Sequence, residues 1–414
     1  MNTCSRRGLL AGGIAAAGLA ATGGLLMPRL VLAAGPAGRP GAQGEARFVF
    51  IILRGALDGL SAVPPCGDGD YSRLRAEIAI AAPGAADGAL ALDGPFALHP
   101  RLGFLHECYG AGELVVFHAV AGPYRQRSHF DGQDVLENGT PTPHGVQTGW
   151  LNRALAALPP AAGQGRQAGV ALGQNLPLVM RGPVDVASWV PSRLAALDED
   201  TLQRVQDLYA ADPLLARRLA DALATDAMTA GDGGMGRAGG GPGERYAEVV
   251  RACAGFLVRE DGPRVAVFDT RGWDTHANEG GAQGQLGQRL GALDGGLRAL
   301  KEGLGPVWRH TAVMLATEFG RTAAVNGTRG TDHGTATAAF LLGGAVRGGR
   351  VVADWPGLAA RNLYQPRDLA ATLDLRAVLK AVLQEHLGVP GPELERTVFP
   401  ESGAAPALRD LIRT

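Results

Sequence analysis

Phe48-Val49-Phe50-Ile51-Ile52-Leu53 is an unbroken apolar run, closed by Arg54-Gly55 and followed by Ala56-Leu57-Asp58-Gly59-Leu60. A run that is apolar at every position, rather than at alternate ones, suits a strand buried on both faces, the state of strands in a parallel sheet. Similar runs recur at Leu114-Val115-Val116-Phe117, Val265-Ala266-Val267-Phe268, Ala312-Val313-Met314-Leu315 and Ala338-Ala339-Phe340-Leu341-Leu342. Helical patterns lie between them. The clearest sets Leu286, Leu290, Leu293, Leu297, Leu300 and Leu304 at steps of four and three, on one face of a helix. Another passes through Leu373, Val378, Leu379, Val382 and Leu383. Strand runs alternating with helical runs predict an α/β fold: a mostly parallel central sheet with helices on both faces.

The 414 residues suffice for one large domain, expected over 47–414. The stretch from about 150 to 259 has few strand-like runs and a polar helical segment near Asp198 to Leu223. It reads as a helical insertion or cap holding a disordered Gly-rich loop at 230–243. Gly239-Gly240-Gly241 is not a phosphate loop, because no strand precedes it and no G-K-[ST] follows. Basic and acidic residues balance, 39 against 40, which argues against a nucleic-acid partner.

Ser5-Arg6-Arg7-Gly8-Leu9-Leu10, an Ala/Gly/Leu run to about Leu26 and small residues around Ala33-Ala34 have the order of a cleavable export signal over 1–34. The paired arginines point to the twin-arginine export machinery and a periplasmic or secreted chain. A membrane anchor is the alternative, disfavoured by the weak hydrophobicity of Gly and Ala and by Pro28-Arg29. Residues 35–46 read as a flexible leader. Cys66, Cys108 and Cys253 then remain, without C-x-x-C spacing, and are expected as buried free thiols.

Ligands in open α/β sheets bind beyond the carboxyl ends of the strands, so polar residues after each strand run are the candidates. They are Asp58; Arg125-Gln126-Arg127-Ser128-His129; Asp274-Thr275-His276; Glu318 and Arg321; and Asp332-His333-Gly334 before the last strand run. Carboxylates and imidazoles gathered there suit a divalent metal such as zinc, manganese or iron. Each has a plainer use: Asp58-Gly59 as a turn, Ser128 as a helix cap, Asp274 and His276 as a surface pair, Glu318 and Arg321 as an ion pair. The remaining histidines, His386 among them, lack acidic companions at ligand spacing and suit core or surface roles. No serine lies in G-x-S-x-G, H-E-x-x-H is absent, and neither lysine, Lys301 or Lys380, sits in a phosphate-loop context.

Taken in order, Leu53 to Leu60, Ser128-His129-Phe130, Asp274-Thr275-His276, Thr317 to Thr322, Thr331 to Gly334 and Leu342 to Gly349 resemble the exported bacterial family known as domain of unknown function 1501. That family looks like a branch of the alkaline-phosphatase-like superfamily. The resemblance implies that Asp58, Asp332 and His333 hold one divalent ion, and Asp274 with His276 a second. It places Ser128 as nucleophile and makes Arg321, with Arg127, the partner of a small anionic ester. The superfamily's Asp-x-x-x-His is Asp-x-His here, and its further histidine has only His386 as counterpart. The second site is then either completed by His129 or Glu318 or left incomplete or empty, with zinc, manganese or calcium as the ion. The implied activity is hydrolysis of phosphate or sulfate esters; a non-catalytic binding or assembly protein is the alternative.

Overall fold

The computed structural model describes residues 45–158, 168–190, 204–206, 208–209, 212–217, 219–220, 223 and 242–413. The expected export signal at 1–34, leader residues 35–44 and loop residues 230–241 lie outside them. The strands are β1 (Arg47–Arg54), β2 (Leu90–Ala91), β3 (Ala97–Leu98), β4 (Leu114–Ala121), β5 (Gly169–Leu172), β6 (Ala187–Trp189), β7 (Val265–Arg271), β8 (Thr311–Ala316), β9 (Thr337–Leu342), β10 (Arg350–Val352) and β11 (Leu373–Asp374). The helices named below are α1 (Gly59–Ala62), α2 (Tyr71–Arg75), α3 (Gly103–Gly110), α4 (His129–Asn138), α5 (Trp150–Ala157), α6 (Pro242–Val258), α7 (Gln285–Leu304) and α8 (Leu375–Val382).

All the expected strand runs lie in one sheet, ordered β10-β4-β9-β8-β1-β7-β5-β6, with β11 beside β4. Its pairings are parallel except the two made by β9. Successive side chains of a strand face opposite ways, so β1 divides its apolar residues between two cores. Val49, Ile51 and Leu53 pack with Phe104 of α3, Phe256 of α6 and the six leucines of α7. Phe48, Phe50 and Ile52 pack with Trp150 of α5 and Val378 and Leu379 of α8. Helices therefore cover both faces, as the alternating pattern predicts. The stretch expected as a helical insertion departs from expectation: β5 and β6 fall within it and extend the sheet beyond β7. Their apolar runs, of four and three residues, are too short to stand out in a sequence pattern. Among the described residues no helix is long and apolar enough to cross a membrane. Cys66, Cys108 and Cys253 are free thiols, the latter two buried.

Because β9 runs against β4 and β8, its amino end arrives at the edge where β1, β4, β7 and β8 end. The segment before β9, with Asp332 and His333, is thereby brought to the loops that follow the parallel strands.

Two histidines outside the strand-end cluster are structural. His118 Nε2 lies 2.9 Å from the Val63 carbonyl and its Nδ1 accepts from Ala119 N–H. His386 Nε2 lies 2.8 Å from the Arg47 carbonyl, in the core rather than at any ligand position. Burial pushes both pKa values down to about 4. The unfolded chain therefore binds more protons than the folded one between about pH 6.5 and 4. Their contribution is complete above that window and is lost as the pH falls through it, by up to about 1.4 kcal/mol per pH unit for each. Urea midpoints measured at pH 7, 5.5 and 4.5 are expected to fall in that order.

Candidate metal centre

Four loops and one helix start build the site. Arg127, with φ +62°, occupies the left-handed region that non-glycine residues seldom adopt. Its carbonyl lies 2.9 Å from His333 Nδ1, and strain of this kind persists where the surroundings fix it. The chain then enters α4 at His129, with Ser128 at the N-cap position. The loop after β8 crosses the segment before β9, with Gly320 N–H donating to Thr335 O and Gly334 N–H to Gly320 O, both at 2.8 Å. A Cβ at Gly334 would collide with the Arg321 carbonyl, so close approach requires the glycine after Asp332-His333.

The three imidazoles are oriented alike. His129 Nδ1 lies 2.8 Å from Glu318 Oε1, His276 Nδ1 3.3 Å from Asp332 Oδ1, and His333 Nδ1 faces the Arg127 carbonyl. A carbonyl or an ionised carboxylate can only accept, which assigns each Nδ1 its proton and leaves each Nε2 with a lone pair. All three Nε2 atoms face the Asp274 carboxylate. His276 Nε2 is 3.0 Å from His333 Nε2 and 3.1 Å from Asp274 Oδ1, His333 Nε2 is 3.3 Å from the same oxygen, and His129 Nε2 is 3.5 Å from Asp274 Oδ2. Donor atoms of His129, Asp274 and His333 all lie within 4.8 Å of one another. Ligands at roughly 2.0–2.1 Å around a tetrahedral ion stand about 3.3 Å apart, the spacing that His276 and His333 keep to each other and to Asp274. His129 Nε2 is buried and has no hydrogen-bond partner, which is the state of a ligand atom awaiting an ion.

The Glu318 hydrogen bond and charge raise the His129 pKa against the effect of burial. Burial instead lowers that of His333. Glu318 is buried, yet His129, Gln133 and Gly55 N–H hold its carboxyl below the usual range. Burial would raise the Asp274 carboxyl, but Arg321, His276 and His129 together hold it below its usual value.

The model of the family described as "Protein of unknown function (DUF1501)" matches residues 118–396, about two thirds of the chain. The chain belongs to that family. The match takes in His129, Asp274, His276, Glu318, Arg321, Asp332 and His333, while Asp58 precedes it. No curated protein matches this DUF1501 chain. Two solved structures are similar at 10% identity. One is Ps i-CgsB in complex with k-i-k-neocarrahexaose, with a TM-score of 0.36 over 72% of this chain and 66% of that one. The other is the phosphonate monoester hydrolase of Agrobacterium radiobacter, with a TM-score of 0.32 over 74% and 70%.

In this DUF1501 member the expected residues divide differently from the expectation of two metal sites. Asp274, His276 and His333 share one cluster with His129, while Asp332 and Glu318 stand behind imidazoles. Asp58 is placed elsewhere: it is 1% exposed, ion-paired with Arg75, and caps α1 through Ser61 N–H. Arg321 is also differently used. Its guanidinium, fully buried, is spent on Asp274 and on the hydroxyl and carbonyl of Thr331. It positions Asp274 and, with no exposed surface, is turned inward rather than toward a substrate. Arg127 is tied by Nε to Asp368 at 2.8 Å and by Nη2 to Gln365. Ser128 does not cap α4 with its side chain, so its hydroxyl is not used in the way a helix start would ordinarily use it.

A buried cluster under the site has no counterpart in the sequence reading. Glu279 receives the hydroxyls of Ser61, Thr275 and Thr331 at 2.9, 2.9 and 2.8 Å, and lies 3.5 Å from Arg75 Nη2. Burial, then the nearby Asp58 charge, pushes its pKa up, whereas Arg75 outweighs burial at Asp58 and holds that carboxyl down. Thr331 joins this cluster to the site, since it also contacts Arg321 and Asp58. Glu279 stands alone in Ala277-Asn278-Glu279-Gly280, and Arg75 reads like any surface arginine of a short helix. Neither carries a local signal.

Proposed function

We propose that this protein is a divalent-metal-dependent hydrolase of phosphate or sulfate esters, exported by the twin-arginine pathway to act in the periplasm. One observation carries the reading: the Nε2 atoms of His129, His276 and His333 all face the Asp274 carboxylate at 3.1–3.5 Å, with every Nδ1 placed against an acceptor behind it. Outer partners of this kind orient metal-binding histidines and fix their tautomer. A donor set of three nitrogens and one carboxylate suits zinc, manganese or iron, and disfavours calcium, which takes six to eight oxygens.

His129, His276, His333 and Asp274 would hold the ion, and Glu318, Asp332, the Arg127 carbonyl and Arg321 would hold those four in place. When bound, a divalent ion supplies Lewis acidity toward an ester oxygen. Ser128, adjacent in sequence to His129 and unused as a cap, is the chain's own candidate to attack. Elemental analysis of the purified mature chain is expected to find about one zinc, manganese or iron per chain. Hydrolysis of 4-nitrophenyl phosphate or sulfate is expected to disappear on chelation and return with the metal. A chain that retains no such ion would overturn the reading and leave a binding protein.

A further inference from the structure

With Arg321 wholly buried and Arg127 tied to Asp368 and Gln365, a more exposed arginine is the better placed positive partner of an anionic substrate. Asp368 leads to it. Its side chain is wholly buried and receives Arg127 Nε at 2.8 Å and Arg367 Nη1 at 3.0 Å. One carboxylate thus faces two guanidiniums, and a further carboxylate that senses Arg367, that of Asp332, is half-exposed. Arg127 is further occupied by Gln365 and lies over the Tyr364 ring at 5.9 Å. The Arg367 side chain is 40% exposed and makes a single side-chain hydrogen bond, to Asp368, so most of its donors remain free.

The backbone places this residue beside the cluster. Thr322 N–H donates to Asp332 O at 2.9 Å, and on its other side Thr322 bridges to Asp368 while Ala323 N–H donates to Arg367 O at 3.0 Å. Asp332, Thr322 and Asp368 are therefore neighbours across two strand spacings, about 10 Å, a gap that an extended arginine largely spans. The same segment reaches the cluster a second way, since the Arg127 carbonyl is the acceptor for His333 Nδ1.

We propose that Arg367 is the residue that reads the negative charge of the substrate, presenting its forked donors to a tetrahedral oxyanion such as phosphate. The geometry of a guanidinium matches such an anion in two parallel hydrogen bonds, which a lysine cannot reproduce. This assignment rests on the metal-hydrolase reading and names its specificity residue.

The test titrates inorganic phosphate into the metal-loaded mature chain by calorimetry, in the wild type, Arg367→Ala, Arg367→Lys and the control Arg73→Ala at an exposed position of α2. Arg367→Ala is expected to raise the phosphate Kd and the KM for 4-nitrophenyl phosphate about tenfold. The metal content, the kcat and any turnover of uncharged 4-nitrophenyl acetate should stay unchanged, with Arg367→Lys intermediate and Arg73→Ala like the wild type. An unchanged phosphate Kd in Arg367→Ala, no phosphate binding by the wild type, or loss of metal from Arg367→Ala would each overturn the proposal. If the wild type holds no metal but binds phosphate through Arg367, the hydrolase reading falls and the anion site stands.

Discussion

Asp274→Asn is expected to weaken the retention of the metal by more than 100-fold while leaving the fold intact. Its carboxylate touches all three Nε2 atoms and also receives Arg321. The amide keeps the shape and an acceptor for Arg321 but removes the negative charge that the ion and the guanidinium share. Changes one shell further out typically cost 10–100-fold in metal affinity, and Glu318→Gln, behind His129, should fall in that range. Competition against a chromophoric chelator measures both. Equal affinity in Asp274→Asn and the wild type would show that the ion, if any, is held elsewhere. Unpairing buried Arg321 should also lower the urea midpoint, and that has to be read beside the affinity.

Arg75→Met is expected to destabilise the protein by about 3–5 kcal/mol, the usual result of removing one partner from a buried ion pair. The guanidinium is fully buried against Asp58 and lies 3.5 Å from Glu279, so its loss strands two carboxylates in the interior. Without Arg75 both acids are easier to protonate than in the unfolded chain. Groups with raised folded-state pKa values stabilise at low pH and lose that contribution as the pH rises. The deficit relative to the wild type should therefore be smaller at pH 5 than at pH 8. A deficit independent of pH would show that lost packing of the arginine stem, not charge, dominates.

The five long strands β1, β4, β7, β8 and β9 were legible because burial on both faces leaves a mark at every position, whereas the short β5 and β6 were not. The direction of β9 was not, since an apolar run reads the same either way. That direction decides the site, because it brings Asp332 and His333 to the edge where Asp274 and His276 arrive. The motif pairs were visible as pairs, but their grouping was not. His129 was expected only to complete a second site and instead stands with Asp274 and His333 in one cluster. Asp58 looked like a ligand and is instead neutralised by Arg75, which lies 17 residues away in a helix with no distinguishing pattern. Buried charge clusters are fixed by tertiary contacts alone, and a single sequence records no period for them.

The position of β1 at the heart of the sheet also sets a timetable. Phe48 pairs with Val265 on one side and Ala312 on the other. At about 5–20 residues per second, those partners leave the ribosome roughly 10–50 s after β1 does. Through that interval Phe-Val-Phe-Ile-Ile-Leu is an uncovered, uncharged, strand-forming segment, the kind most prone to associate with another copy of itself. The strand that organises the finished molecule is thus the one that most needs shelter while the molecule is being made.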